Sequence, residues 1–116
     1  MKFLMTYAAS ARSAPPTPEH MAAIAKFSQE MTDAGILLMT GGLVRPTTGT
    51  HVRLSGEKFA VTDGPFAESK ELIDGFGLVE VKSKQEAIEV AERFMRVAGD
   101  GEGEILQVFD AGGPAG

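Results

Sequence analysis

The chain has 116 residues, of which 43% are hydrophobic and 23% charged, and this composition predicts one compact domain without disulfides or a structural metal. It contains no cysteine, which excludes disulfides, thiolate catalysis, iron–sulfur clusters and cysteine zinc sites. The net charge is −5 and the basic residues are scattered, a pattern that disfavours a nucleic-acid partner. No stretch approaches the roughly 18 apolar residues of a membrane span, and the N-terminal apolar run is too short for a signal peptide. We therefore expect a cytoplasmic protein that contacts no membrane.

The first half of the chain begins with a predicted strand at residues 2–7, followed by a Ser-, Pro- and Ala-rich loop at residues 8–16. Thr17 is a plausible N-cap with Pro18 at the first helical position, and Gly35 ends the helix that they start. The apolar face of this helix follows spacings of three and four residues at Met21, Ile24, Phe27 and Met31. A second predicted strand, at residues 36–40, ends at Gly41 and Gly42.

The second half is predicted to start with a hairpin, because strand-like residues 50–54 and 58–62 flank Ser55-Gly56-Glu57. A further strand is expected at residues 73–81. Ser83 and Glu86 then form a capping box at the start of a second helix that ends at Gly99. The last strand is predicted at residues 104–109. We treat residues 1–110 as a single domain and expect residues 111–116 to be a disordered tail.

This order of elements matches an α+β fold, a ferredoxin-like βαββαβ unit with an inserted hairpin. Two helices cover only one face of such a sheet, yet the strands around Phe3 and Phe76 have apolar residues on both faces. An uncovered apolar face favours a homodimer that packs sheet against sheet. The alternative is a monomer whose loops at residues 8–16 and 41–49 fold over that face.

Few titratable residues of the sequence are candidates for a functional site. His20 lies in the first turn of a helix, where the helix dipole favours a neutral imidazole, and His51 alternates with Val52 on a predicted strand. Each is a candidate catalytic residue, although an ordinary surface position explains either one. Neither has a partner at metal-ligand spacing, so we predict no metal and no cofactor. Arg53, on the same face as His51, is a candidate binding residue at a rim or on an outward polar face.

Tyr7 is the only tyrosine of the chain and stands at the end of the first predicted strand. Its hydroxyl either reaches a binding pocket or lies in the core with one satisfied hydrogen bond.

Asp63-Gly64-Pro65-Phe66 is the most informative stretch of the chain. Gly64 and Pro65 shape the backbone, and Asp63 and Phe66 are thereby held in a defined relation. Asp63 is a candidate general base or orienting residue, with Gly64, Pro65 and Phe66 as binding residues beside it. The same tetrapeptide is also a plausible structural turn in which Asp63 caps the backbone and Phe66 fills the core.

With its continuation through Ala67-Glu68-Ser69-Lys70-Glu71, this motif resembles the DGPF branch of the YCII-related family over nearly the whole chain. The resemblance implies a dimeric α+β barrel. It implies little about function, because relatives in the wider family and superfamily include a dehydrochlorinase, lactone isomerases and cofactor-free monooxygenases. Some DGPF proteins are encoded beside extracytoplasmic-function sigma factors, which implies an accessory role in signalling. The sequence departs from the branch at Gly77, where an aromatic residue is common, and at Asp74, where glycine is frequent.

Two hypotheses about function follow. The first is a cofactor-independent enzyme in which Asp63 and either His20 or His51 act on a small aromatic or lactone-like molecule. The second is a non-catalytic dimer that binds a small ligand or a protein partner through the loop at Asp63. An imidazole within hydrogen-bond reach of Asp63 distinguishes the first from the second.

Overall fold

A computed structural model describes residues 1–10, 17–44, 49–64 and 73–109. These ranges form two α-helices and seven β-strands in an α+β arrangement. The strands are β1 (Lys2–Ala9), β2 (Leu37–Gly42), β3 (Thr50–Ser55), β4 (Lys58–Asp63), β5 (Gly75–Glu80), β6 (Gly101–Glu102) and β7 (Ile105–Val108). The helices are α1 (Pro18–Asp33) and α2 (Lys84–Ala98). The structure contains every predicted element in the predicted order, with β6 as an additional short strand. No described helix is long and apolar enough to cross a bilayer.

The main sheet is antiparallel, with strand β1 at its centre. β5 pairs with one edge of β1 and β2 pairs with β5, while β7 and the short β6 share the other edge of β1. If β6 and β7 are counted as one strand, this is the strand order of a ferredoxin-like unit. The predicted fold class is therefore confirmed for the single chain, and the dimer stays a prediction.

Both helices begin where the sequence predicts. The Thr17 side chain accepts a hydrogen bond of 3.1 Å from the backbone N–H of His20, and Ser83 accepts one of the same length from Glu86. The Glu86 carboxylate in turn accepts from the backbone N–H of Lys82, one residue earlier than in a standard capping box. The chain leaves α1 through Gly35, whose φ of 76° is in the left-handed region that favours glycine.

The last predicted strand corresponds to β7, and the structure adds the short strand β6 before it. Thr6 donates its backbone N–H to the carbonyl of Glu104, and the Thr6 hydroxyl accepts the backbone N–H of Glu104. These bonds hold the segment between β6 and β7 against β1. The sequence-based strand at residues 104–109 therefore starts too early, because a contact between residues 98 positions apart sets its boundary.

The core lies between the sheet and the helices. Its buried residues are Phe3, Val79, Val81, Ala87 and Val90, and Met5, Ile36, Leu37 and Ile105 pack against them. The two helices meet through Phe27 and Phe94, whose ring centroids are 6.1 Å apart, and the Arg93 guanidinium lies 5.6 Å from the Phe27 centroid. The helices thus cover the face of β1 that carries Phe3, Met5 and Tyr7.

The opposite face of the main sheet carries apolar side chains that the helices do not reach. Leu4 stands opposite Leu78 on β5 and Leu106 on β7, and Met39 of β2 is the neighbour of Leu78 on the far side. Leu106 is 52% exposed and Met39 60% exposed. We call this surface the open face. Gly41 contributes to it by having no side chain, since a Cβ there would come within 2.9 Å of the Phe76 ring.

Candidate functional site

The predicted site begins on the β3–β4 hairpin, which forms a two-stranded sheet of its own. Its strands pair from Thr50 opposite Asp63 to Ser55 opposite Lys58, and Gly56 turns the chain with a φ of 61°. Because side chains alternate across a strand, this register gives the hairpin two chemically different sides. One side carries Thr50, Val52, Leu54, Phe59, Val61 and Asp63. The other carries His51, Arg53, Ser55, Lys58, Ala60 and Thr62.

Asp63 ends β4 at the open end of the hairpin. Its Oδ1 accepts a hydrogen bond of 2.7 Å from the Thr50 hydroxyl, directly across the two strands. The next residue, Gly64, donates its backbone N–H to the carbonyl of Gly49 at 2.8 Å. Two bonds therefore fix the position of the Asp63 backbone and carboxylate, while the residue stays exposed to solvent.

The structure does not bring either candidate histidine to Asp63. His51 is opposite Thr62, so its side chain leaves the hairpin on the side away from the Asp63 carboxylate. His20 lies in the first turn of α1. Within the described ranges, the hydrogen-bond partner of the Asp63 carboxylate is the Thr50 hydroxyl, and neither imidazole bonds to it. The arrangement holds an exposed carboxylate in place without a described proton-transfer partner.

The other candidate binding residues are divided between two places. Arg53 is exposed on the His51 side of the hairpin, opposite Ala60. Gly64 lies next to Asp63 and is half-buried. Pro65 and Phe66 lie outside the described residues, as does the predicted tail at residues 111–116.

Tyr7 lies in the main sheet, on the helix side. Its ring packs edge-on against Phe94 of α2, with the centroids 5.3 Å apart. Its hydroxyl lies 2.9 Å from the carbonyl oxygen of Gly99 and 3.2 Å from that of Asp100, so the phenol proton is shared between two backbone acceptors. Burial raises the pKa of Tyr7 above its ordinary value, and the negative charges of Asp74 and Asp100 raise it further. The phenol is therefore held protonated, and it fastens the end of α2 to β1.

Asp74 is a residue whose role the sequence did not reveal. Its carboxylate accepts the backbone N–H of Ala9 at 2.7 Å, and its own backbone N–H donates to the carbonyl of Tyr7 at the same distance. Its carbonyl also accepts the backbone N–H of Leu43. Asp74 thus joins the ends of β1 and β2 to the start of β5. In the sequence Asp74 stood out only as a departure from the DGPF pattern within the strand predicted at residues 73–81, because its partners are distant in the chain.

Gly77 is the second departure from the DGPF pattern, and it stands opposite Met5 on the helix side of the sheet. A Cβ at this position would lie 3.4 Å from Cδ1 of Leu37, close to the limit of ordinary contact. An aromatic side chain here would therefore displace Leu37. With glycine at position 77, the Leu37 side chain occupies the space beside it.

Among the residues that the structure describes, no three His, Asp or Glu side chains converge in a way that could hold a metal ion. Asp63 has Thr50 beside it, and Asp74 is engaged by the backbone.

Comparison with known proteins decides the family. The model of the YCII-related domain matches residues 1–111. The chain belongs to the YCII-related family. This YCII-related protein is also 38% identical, over 63 residues, to an uncharacterized protein of Rhizobium meliloti (strain 1021). The match covers 54% of this chain and 51% of the relative, so the chain spans about half the length of the curated protein that it resembles.

Proposed function

We propose that this YCII-related protein is a homodimeric binding protein of the DGPF branch, with the segment that begins at Asp63 as its contact surface. The observation that supports binding over proton transfer is the hydrogen bond between the Asp63 carboxylate and the Thr50 hydroxyl. A proton shuttle needs an imidazole in reach of the carboxylate, whereas a recognition group needs only a fixed acceptor. Asp63 meets the second requirement.

The chemistry of the proposed ligand follows from this carboxylate. Thr50 uses one lone pair of Oδ1, and an ionised carboxylate offers about four acceptor positions on its two oxygens. Hydrogen bonds to a charged acceptor are shorter and stronger than those between neutral groups. The site therefore favours a small molecule, or a partner side chain, that presents N–H or O–H donors and preferably a positive charge.

The open face of the main sheet supports the homodimer. Its apolar residues on four neighbouring strands, with Leu106 and Met39 more than half exposed, form the kind of patch that marks an association surface. A twofold axis through this face would bury the same patch from both copies.

An accessory role in extracytoplasmic-function sigma-factor signalling belongs to the same proposal. It is supported by the resemblance of Asp63-Gly64-Pro65-Phe66 to the DGPF motif and by the family membership of the chain. A dimer that responds to a small ligand is one way in which an accessory protein transmits a signal.

A thermal-shift ligand screen on wild type and Asp63→Asn tests the binding site. Glu57→Gln is the matched control, since it removes one carboxylate from the turn at the far end of the same hairpin. A ligand at 100 times its dissociation constant stabilises the folded protein by about 2.7 kcal/mol. We expect this stabilisation in wild type and Glu57→Gln and its loss in Asp63→Asn. Equal shifts in all proteins would show that the ligand does not contact Asp63.

Size-exclusion chromatography with light scattering tests the dimer. Leu106→Glu places a charge on the open face, and Ile88→Glu places the same charge at an exposed apolar position on α2. We expect the first variant to be monomeric and the second to remain dimeric. A monomeric wild type at micromolar concentration would contradict the proposal.

A further inference from the structure

A second apolar surface lies on the β3–β4 hairpin. Val52 pairs with Val61 and Leu54 with Phe59, and the four side chains share the side of the hairpin that ends at Asp63. They are between 56% and 68% exposed in the single chain. We call this surface the apolar hairpin side.

The hairpin is unusual in having a regular amphipathic pattern with every residue of both strands exposed. Its opposite side carries His51, Arg53 and Lys58, which water solvates well. A two-stranded hairpin is at best marginally stable by itself, and packing against a further layer is what normally stabilises it. The alternation of apolar and polar side chains therefore indicates that the apolar hairpin side packs against another surface.

The size of the surface indicates another protein chain as its cover. Four side chains of this kind expose roughly 300 Å², so two hairpins and the surfaces they contact would bury about 1,200 Å², the lower end of the range for specific interfaces. In a twofold dimer each copy contributes its own hairpin and also a surface that contacts the partner's hairpin, so the buried area is counted twice.

The continuity of apolar surface points to a second copy of this chain. Met39 lies on the open face, and Leu43 and Val44, which are 40% and 87% exposed, come just after the end of β2 at Gly42. Exposed apolar side chains thus continue from the proposed dimer surface past the end of β2 as far as Val44.

We infer that the apolar hairpin side packs against a second copy of this chain, so that Asp63 lies at the subunit boundary and the partner forms one wall of its binding site. This inference rests on the homodimer of the proposed function and goes beyond it. The open face belongs to the main sheet and does not include the hairpin, which is a sheet of its own. With the hairpin included, the binding site exists in full only in the dimer.

Tryptophan fluorescence tests the inference, because the natural chain contains no tryptophan. Phe59→Trp puts a single indole on the apolar hairpin side, and Ala60→Trp puts one on the opposite side of the same strand as the control. In the dimer we expect blue-shifted emission from Phe59→Trp and at least twofold weaker quenching by acrylamide than for Ala60→Trp. Dilution to the monomer should abolish both differences. Leu54→Trp repeats the test in case the first variant folds poorly.

Sedimentation of the same samples separates the outcomes. A dimer in which both indoles are quenched equally would overturn the hairpin inference and leave the homodimer standing. An indole at position 59 that stays shielded after the dimer has been diluted to monomers would also overturn it. In that case residues of the same chain would cover the apolar hairpin side. A wild-type protein that never dimerises would overturn both proposals.

Interface mutations give a second measurement. Leu54→Ser should raise the dissociation constant of the dimer at least tenfold, whereas Arg53→Ser on the opposite side should change it less than threefold. Equal effects of the two substitutions would contradict the inference.

Discussion

Thr50 and Asp63 face each other across the open end of the β3–β4 hairpin and are joined by a hydrogen bond of 2.7 Å between the hydroxyl and the carboxylate. The bond is on the apolar hairpin side, so it places a fixed acceptor beside a hydrophobic surface. It also links the two strands where the hairpin meets the rest of the chain.

Replacing Thr50 by valine should loosen this end of the hairpin. The change removes the donor while keeping the shape of the side chain, and a hydrogen bond of this kind contributes about 0.5 to 1 kcal/mol. Amide hydrogen exchange in β3 and β4 should therefore become about two- to fivefold faster. Thr62→Val is the control, since it makes the same change on the other side of the hairpin. Equal acceleration in both variants would show that the bond contributes nothing.

Tyr7 should ionise above its ordinary pKa of 10.0, because burial and the charges of Asp74 and Asp100 disfavour the phenolate. Ultraviolet titration measures this directly, since Tyr7 is the only tyrosine. We expect the midpoint in the folded protein to lie above that in urea. The same or a lower midpoint would contradict the described surroundings of the phenol.

The raised pKa of Tyr7 also predicts how stability depends on pH. The native state holds the phenol proton more tightly than the unfolded chain, so the resulting stabilisation is complete below about pH 10 and is lost as the pH rises through the folded-state pKa. Denaturant unfolding of wild type and Tyr7→Phe between neutral and alkaline pH checks this. The difference between the two proteins should shrink in the alkaline range, and a constant difference would exclude the linkage.

Phe3→Ala should destabilise the fold strongly. Phe3 is 3% exposed and belongs to the core between the sheet and α2, and such a truncation costs about 3 to 5 kcal/mol. Phe109→Ala is the control, because Phe109 is 72% exposed and its truncation should cost less than about 0.5 kcal/mol. Chemical denaturation followed by circular dichroism measures both. Similar losses would mean that Phe3 does not anchor the core.

Gly103→Ala should disturb the connection between β6 and β7. A Cβ on Gly103 would overlap the carbonyl oxygen of Thr6, so the backbone would have to move. We expect a loss of about 2 kcal/mol or more in the free energy of unfolding. Gly42→Ala is the control, because its nearest atom would be 3.8 Å from the new Cβ. A neutral Gly103→Ala would show that this segment can move away from β1 at little cost.

Sequence signals that act over a few residues predicted the corresponding structure well. Thr17 and Ser83 each accept the backbone N–H three positions ahead, and Gly56 turns the hairpin in the left-handed region. In each case the residue type and its partner lie within one turn of chain. The helices and the hairpin were predictable for that reason.

The arrangement of the candidate site depends on the pairing register of the hairpin, which the types of its residues do not fix. Once Ser55 pairs with Lys58, the alternation of side chains puts His51 and Asp63 on opposite sides of the hairpin. The role of Asp74 is a different case. Its carboxylate bonds to Ala9, 65 residues away, and no local pattern announces a partner at that distance.

The central position of β1 has a consequence for biosynthesis. Its partners on β5 and β7 extend to Val108, so β1 is synthesised before both of the strands that it pairs with on its two edges. Contacts this distant in the chain slow folding, because the intervening loop must close before they form. While the ribosome adds the intervening residues, Phe3, Leu4 and Met5 remain without their strand neighbours, and unpaired apolar segments of this kind make a folding chain prone to aggregate.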